Sequence, residues 1–209
     1  MSFDTWSLYV LTVLALMSTP GPSQLLMLAN SARHGAQRSL ATAAGDLTAN
    51  LGQMLAAGLG LAALIAASAH ALTLIKWAGV AYLIWLGVRT IRNAGKSDAT
   101  AQSTAPTLKA LWLQGFLTSA ANPKAVVFFA ALFPQFISPE LAFWPQFWIL
   151  SATYLALDGL FLSAYGFGAA TLAARLKGHA RLWLDRIGGA LMIAAAIALG
   201  SKSIDLNTN

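Results

Sequence analysis

Six long runs of apolar residues constrain this chain more than any other feature of its sequence. The runs lie at about 6–32, 41–69, 72–91, 110–136, 145–172 and 182–199. Each is long enough for a transmembrane helix, which needs roughly 20 predominantly apolar residues. Barrel strands would alternate apolar with polar residues, and these runs do not, so only helices can satisfy their backbone in lipid. The sequence therefore predicts an all-α, polytopic membrane protein with six transmembrane helices.

Composition excludes several other classes of protein. Only 10% of the residues are charged, against about a quarter in soluble domains. The chain has no cysteine, which excludes disulfides, thiolate metal sites and cysteine nucleophiles. Its three histidines show no HExxH spacing, so we predict no metal and no cofactor. The first charged residue is Asp4, so we expect the first run to be a retained span and not a cleaved signal peptide.

The basic residues are concentrated on one side of the predicted membrane. They lie near the ends of the first, third and fifth runs or between these runs and the next, with the last near the start of the sixth, at Arg33, Arg38, Arg89, Arg92, Lys96, Lys109, Arg175, Lys177, Arg181 and Arg186. The opposite side receives only Lys76 and Lys202. By the positive-inside rule we expect both termini to lie outside the cytoplasm. The net charge of +6 is therefore a topology signal, and we predict no nucleic-acid partner.

A polar stretch at 93–109 divides the runs three and three. We predict a first three-helix repeat at 1–92, a cytoplasmic linker at 93–109 and a second three-helix repeat at 110–209. An odd number of spans gives the two halves opposite orientations, so the repeat would be inverted. Corresponding segments are weakly similar: STPGPSQLLMLA parallels SAANPKAVVFFAA, and the second and fifth runs each contain one acid, Asp46 and Asp158.

Prolines interrupt the first and fourth runs near their middle. Proline lacks an N–H and clashes with the preceding turn, so helices one and four should break at PGP, 20–22, and at NPK, 122–124. Asn122 would cap the new half-helix, with Pro123 in its first position. Both half-helices would direct their positive N-terminal ends to the centre of the bilayer, which suits a carboxylate. A packing kink is the alternative for either motif.

Polar residues in the second and fifth runs share helical faces. Asp46 recurs with Asn50 and Gln53 at helical spacing, and Asp158 recurs with Tyr154. The third and sixth runs have almost no polar residues in their interiors. We therefore predict that runs one, two, four and five line a cavity. The third and sixth would face lipid or another subunit, in a possible homodimer.

Three charged residues inside the runs are candidates for transport chemistry. A lysine at mid-span costs about 2.5–3.5 kcal/mol on insertion scales, so Lys124 should pair with an acid or a substrate carboxylate rather than extend to the interface. Asp158 is its leading partner, and it would bind a substrate ammonium or exchange a proton. Asp46 is a second candidate for proton coupling; because it lies nearer the start of its helix, capping of that helix or an interfacial position is the alternative. The candidate substrate-binding residues are Pro20, Gly21, Pro22, Asn122, Pro123, Lys124, Tyr154 and Asp158.

Two other functions fit the same residues. Asp46 and Asp158 lie in separate spans and would share a proton in an intramembrane aspartyl protease. The sequence Ala43-Ala44-Gly45-Asp46 lacks the Gly-x-Gly-Asp pattern of such enzymes. A non-transporting membrane assembly subunit is the other alternative. We predict a transporter rather than an enzyme, with a small substrate that carries a carboxylate, protons and the lipid bilayer as its partners.

Three stretches resemble one known family. PGP at 20–22, LIKWAGVAYLIWLG at 74–87 and NPKAVVFFAALFPQFI at 122–137 are similar to the LysE/RhtB superfamily of bacterial amino-acid exporters, closest to its homoserine and threonine branch. The resemblance covers nearly the whole chain. It implies proton antiport that exports small neutral amino acids or derivatives, of the homoserine, homoserine lactone or threonine type. Asp158 matches an acid of that branch, whereas Asp46 stands where a neutral residue is expected.

Overall fold

The computed structural model describes residues 1–18, 20–60, 69–92 and 106–175, together with positions between 183 and 197. Its helices are α1 Phe3–Ser18, α2 Pro22–His34, α3 Ala36–Gly58, α4 Ala69–Arg92, α5 Leu108–Ala120, α6 Pro123–Val127 and α7 Phe143–Arg175. A π-helical turn at Phe128–Leu132 and a 3₁₀ turn at Phe133–Phe136 continue α6. The all-α prediction is confirmed for the described residues. Residues 93–105 of the predicted linker and half of the predicted sixth span lie outside them.

Three parts of the described chain are long and apolar enough to cross a membrane. α7 meets this requirement alone, with 33 residues. α1 with α2, and α5 with Lys124–Phe136, meet it when each bent pair counts as one span. The two pairs bend by 59° and 55° at their breaks. The count of six spans and their inverted repeat stay predictions.

Capping residues explain where the bent pairs break. At the start of α2, Pro22 takes the first helical position and the backbone N–H of Gly21 donates to Gln24 Oε1 at 2.9 Å. At the start of α6, Pro123 takes the first position, and Asn122 Oδ1 accepts from a backbone N–H two residues further on at 3.1 Å. Both breaks lie where the prolines predict them, and Asn122 caps its helix as expected.

Glycines let two central helices approach closely. A Cβ atom added to Gly45 would lie 1.9 Å from the carbonyl oxygen of Trp112, and one added to Gly115 would lie 1.9 Å from that of Thr42. The backbones of α3 and α5 are therefore in direct contact, and this is the most extensive helix pair among the described elements. The contact holds α3 against the break that follows α5.

α2 and α7 form a second large contact. Gly166 of α7 lies against α2, because an added Cβ would be 2.5 Å from Met27 Cε and 2.9 Å from Ser31 Oγ. Gly35 has a φ of 80°, which glycine adopts without strain, and it turns the chain from α2 into α3. Helices α2, α3, α5 and α7 thus surround the centre of the described structure.

α4 lies at the side of this group. Four of its large apolar side chains are exposed: Trp77, Ile84, Trp85 and Val88. A Cβ added to Gly87 would lie 2.7 Å from the carbonyl oxygen of Gly189, so the third and sixth runs meet backbone to backbone. The exposed apolar surface agrees with the prediction that the third run faces lipid or another subunit. The homodimer itself stays a prediction.

Candidate functional site

A cavity lies where the two helix breaks meet α3 and α7. Its lining residues are Leu16, Met17, Ser23, Gln24, Asp46, Asn50, Ser119, Asn122, Lys124, Ala125, Tyr154 and Asp158. They come from the first, second, fourth and fifth runs, which confirms the predicted grouping. The cavity volume is about 20 Å³, which is room for about one water molecule. The described conformation is therefore closed around its centre.

Asp46 and Asp158 meet in this cavity, and we call them the acid pair. Each is only 3% exposed. Asn50 donates to both carboxyl groups, since its Nδ2 lies 2.9 Å from Asp46 Oδ2 and 2.8 Å from Asp158 Oδ2. Asp46 lies well inside α3, so its carboxyl group does not cap that helix. The structure thus joins the two candidate proton-coupling residues in one hydrogen-bonded arrangement.

Two side chains of α3 bind the end of α5, and one of them, Asn50, also binds the acid pair. Asn50 Oδ1 accepts from Ser119 Oγ at 2.7 Å. Gln53 donates to the carbonyl oxygens of Ser119 and Ala120 at 3.1 and 3.4 Å. Both carbonyls belong to the last turn of α5, where a helix leaves carbonyl groups without intrahelical partners. α3 therefore satisfies polar groups that the helix break exposes.

Lys124 brings a positive charge to the same cavity. Its Nζ donates to the carbonyl oxygen of Leu16, in the last turn of α1. It is also near enough to Asp158 for the two charges to interact. A Cβ added to Gly21 would lie 3.8 Å from Lys124 Cδ. The N-terminal ends of α2 and α6 are therefore neighbours at the cavity, which is the arrangement expected for a carboxylate site.

The predicted substrate-binding residues divide into two groups. Four line the cavity: Asn122, Lys124, Tyr154 and Asp158. Four lie at the helix breaks beside it: Pro20, Gly21, Pro22 and Pro123. The position of this second group favours a role in shaping the breaks over direct contact with a ligand.

Sequence analysis does not identify several lining residues. Asn50 shares a helical face with Asp46, and this spacing indicates that Asn50 faces the cavity. It does not indicate that Asn50 bridges the carboxyl groups of Asp46 and Asp158. Ser119 is a polar residue one turn before the second break. Ser23 and Gln24 follow the first break directly, and polar residues in the first turn of a half-helix are the signal that could have located them.

Aromatic side chains close one end of the cavity. This aromatic cluster consists of Tyr9, Phe128, Phe129, Phe133, Phe147 and Tyr154. Tyr154 links it to the cavity, because its ring centroid lies 4.8 Å from that of Phe129 in an edge-to-face contact. The cluster lies toward the first turns of α1 and α7, which is the predicted periplasmic side. Packed rings therefore separate the acid pair from that side.

Comparison with known families assigns the chain to a class of transport proteins. The sequence profile of the LysE type translocator family matches residues 14–203. The chain belongs to the LysE type translocator family. This confirms the resemblance seen in the motifs, and it makes the chain a membrane transport protein rather than an enzyme.

Three relatives show how similarity extends along this LysE type translocator. A homoserine/homoserine lactone efflux protein of Salmonella typhimurium (strain LT2) is 34% identical over 203 residues, covering 96% of this chain and 98% of that one. A threonine efflux protein of Escherichia coli (strain K12) is 30% identical over 200 residues, covering 90% and 92%. An uncharacterized membrane protein of Vibrio cholerae is 36% identical over 181 residues, covering 87% and 86%. No solved structure matches the chain.

The cavity of this LysE type translocator combines both signs of charge in a small polar volume. The acid pair suits an ammonium group, and Lys124 with the two half-helix N-termini suits a carboxylate. Ser23, Gln24 and Ser119 add neutral hydrogen-bonding groups. Among the described residues no group of three or more His, Cys, Asp or Glu could hold a metal ion. The arrangement suits a small zwitterion once the cavity opens to admit it.

Proposed function

We propose that this LysE type translocator exports small neutral amino acids with a polar side chain, such as homoserine or threonine, in exchange for protons. The observation that carries the proposal is the acid pair bridged by Asn50, in the same cavity as Lys124 and the Asn122 break. Relatives named for homoserine and threonine efflux align over 96% and 90% of this chain. Their names support the same class of substrate.

The substrate carboxylate would bind at the neighbouring ends of α2 and α6. There the backbone N–H groups of Gly21 and Lys124 donate to the side chains of Gln24 and Asn122. A carboxylate is a stronger acceptor than these neutral amides, so it can take their place. The ammonium of Lys124 donates to the neutral carbonyl of Leu16. Exchanging that partner for a carboxylate would strengthen the bond.

The acid pair would hold either the substrate ammonium or a proton. Two buried carboxylates that share the amide of Asn50 repel each other, and one proton held by the pair removes that repulsion. A substrate ammonium removes the same repulsion, so the two cations compete for one place. When access to that place alternates between the two sides of the membrane, export of one cation is coupled to import of the other.

Neutral polar groups beside the acid pair would select the substrate side chain. Ser23, Gln24 and Ser119 all line the cavity and present hydroxyl and amide groups to it. A site built to hydrogen-bond a hydroxyl discriminates strongly against an analogue that lacks it, because its own polar groups are then left unpaired. Homoserine and threonine should therefore be transported faster than leucine.

The membrane in this proposal is the bacterial inner membrane, with both termini on the periplasmic side. Arg33 near the end of α2, Arg38 near the start of α3 and Lys109 near the start of α5 support this orientation, because basic residues collect on the cytoplasmic side. The acid pair is then reached from the cytoplasm along α2, α3 and α5, and the aromatic cluster closes the periplasmic side.

Efflux from preloaded proteoliposomes tests the proposal. Purified protein is reconstituted into liposomes loaded with homoserine, threonine or leucine, and an inward proton gradient is imposed. We expect gradient-driven release of homoserine or threonine that is about tenfold or more slower for Lys124→Gln, because a hydrogen bond to a charged group is lost. Lys109→Gln removes an exposed lysine of α5 as a matched control, and it should transport at the wild-type rate.

Two further outcomes decide the separate parts of the proposal. Asp158→Asn should release substrate without dependence on the proton gradient, and retained dependence would remove the acid pair from coupling. A wild-type rate for Lys124→Gln would move the carboxylate site elsewhere. If the wild-type protein releases none of the amino acids, the proposed function is wrong.

A further inference from the structure

A second group of polar residues, three of them buried and one half-buried, lies outside the cavity. Asn30 Nδ2 donates to Thr42 Oγ1 at 2.9 Å and to Gln114 Oε1 at 3.0 Å. Next to Asn30 on α2, Ser31 is fully buried against Gly166 of α7, and its hydroxyl has no hydrogen-bond partner within the described parts of the chain. We call Asn30, Ser31, Thr42 and Gln114 the inner polar cluster. None of its members lines the cavity, and none is charged.

The inner polar cluster is displaced from the cavity in one consistent direction. On α2, its two residues lie about two turns after Ser23, or about 10 Å along the helix. On α3, Thr42 lies one turn before Asp46, and on α5, Gln114 lies more than one turn before Ser119. This direction leads to the ends of the three helices near the basic residues of the predicted cytoplasmic side.

An apolar collar separates the inner polar cluster from the acid pair. Met27, Ala43 and Leu162 form one buried cluster, and each is at most 5% exposed. Met27 lies one turn after Ser23 and one turn before Ser31 on the same face of α2. Methionine is unbranched and rearranges readily. The collar is therefore a thin, adaptable barrier, in contrast to the packed rings on the other side of the cavity.

We propose that the inner polar cluster is a second substrate site, which holds the zwitterionic amino acid on the cytoplasmic side before it passes the collar to the acid pair. The inference rests on the proposed function, because it concerns the same substrate. A buried hydroxyl without a partner is costly, and a polar ligand at Ser31 would satisfy it. The amides of Asn30 and Gln114 supply further donors and acceptors. Because the cluster is uncharged, it can bind a zwitterion and still release it, as sites along a conduction path must.

Cysteine accessibility tests the second site, because the chain has no native cysteine. Ser31→Cys and Thr42→Cys probe the inner polar cluster, and Ser23→Cys probes the cavity. Val13→Cys is the matched control, since Val13 on α1 is also fully buried but packs beside the aromatic cluster. A membrane-impermeant methanethiosulfonate is added to membrane vesicles of either orientation, with and without homoserine.

We expect Ser31→Cys and Thr42→Cys to react from the cytoplasmic side at least about tenfold faster than Val13→Cys, because a movement of α2 away from α3 and α7 is a local opening that exposes both positions. Homoserine should slow the reaction at both positions. Adding Met27→Ala should accelerate the reaction of Ser23→Cys more than that of Ser31→Cys, because it removes the collar between them.

Two results would overturn the second site. One is that the cysteines at both cluster positions react as slowly as the cysteine of Val13→Cys. The other is that neither homoserine nor threonine slows the reaction of these cysteines, in protein that exports both amino acids. Homoserine efflux measured on the same preparations separates the two claims. Absence of efflux from the unsubstituted protein refutes the proposed function, whereas normal efflux with unreactive or unprotected cluster cysteines refutes the second site alone.

Discussion

Replacing Asn50 with leucine should loosen the acid pair and its connection to the helix break. Leucine has the same branching and the same number of side-chain heavy atoms as asparagine, and it favours helices, so the change removes the hydrogen bonds while the side chain keeps its shape. The bonds lost are those to Asp46 at 2.9 Å, to Asp158 at 2.8 Å and from Ser119 at 2.7 Å. All three partners are buried, so water does not replace what is lost.

These three bonds set the expected magnitude. At the average of about 0.6 kcal/mol found for hydrogen bonds between membrane helices, they contribute about 2 kcal/mol. A bond to a charged group contributes about 1.5–3 kcal/mol, so one ionised member of the acid pair raises the total to about 4 kcal/mol. We therefore expect Asn50→Leu to lower the free energy of unfolding by about 2–4 kcal/mol.

Reversible unfolding in mixed micelles of rising SDS content measures this free energy. Thr48→Leu is the control on the same helix, because Thr48 is exposed and its hydroxyl donates to the carbonyl of Ala44 within its own turn. It should change the free energy by less than about 0.5 kcal/mol. A double-mutant cycle of Asn50→Leu with Asp158→Leu should show a coupling of about 1 kcal/mol or more. Additivity within about 0.3 kcal/mol would refute the reasoning, because Asn50 would then act independently of the acid pair.

Three further predictions use the same unfolding titration. Gly115→Ala should destabilise the protein by about 3 kcal/mol or prevent folding, because the new Cβ would lie 1.9 Å from a backbone oxygen. Gly52→Ala, which has open space within 4 Å, should be neutral or stabilise by up to about 1 kcal/mol, and equal effects of the two changes would contradict the close contact of α3 with α5. Phe133→Ala should cost about 3–5 kcal/mol, because the ring is fully buried in the aromatic cluster, and a cost below about 1 kcal/mol would show that the cluster is not closely packed. Burial and two neighbouring arginines lower the pKa of His34, so the folded protein binds fewer protons at this residue than the unfolded protein does. Stability is therefore lost as the pH falls below the unfolded pKa of about 6.5. His34→Gln should therefore reduce the loss of stability between about pH 7.5 and about pH 5.5, and an unchanged loss would exclude His34 as its source.

The all-helical fold and the two helix breaks could be predicted from the sequence, because each depends on local physics. Lipid leaves a long apolar segment few ways to satisfy its backbone. Proline acts on its own helix, so Pro22 and Pro123 mark the breaks whatever surrounds them. Asn122 could be assigned as a cap for the same reason, since a cap hydrogen bond joins residues close in sequence.

The candidate site could be predicted only in part, because it depends on how helices are placed against one another. Helical spacing indicates that Asp46 and Asp158 face a cavity. That both reach the amide of Asn50 depends on the depth and rotation of α3, which the contact of Gly45 with the backbone of Trp112 helps to fix. The spacing of polar and apolar residues in the second and fourth runs does not indicate that contact. The same limit applies to Lys124, whose bond to the carbonyl of Leu16 is made by a backbone atom that any residue would supply.

The π-helical turn at Phe128–Leu132 lies between the cavity residues of α6 and Phe133 of the aromatic cluster. Substrate recognition and the seal on one side of the membrane can therefore change independently in evolution. A π turn contains one residue more than an α turn, and one residue rotates the following helix by about 100°. Deleting a residue within the turn would rotate Phe133 and the chain beyond it, while Asn122 and Lys124 would keep their places at the cavity. Insertions and deletions in this short segment would therefore alter how tightly the protein seals one side of the membrane without altering what it recognises. Family members that differ in length here should share substrates and differ in leak and turnover.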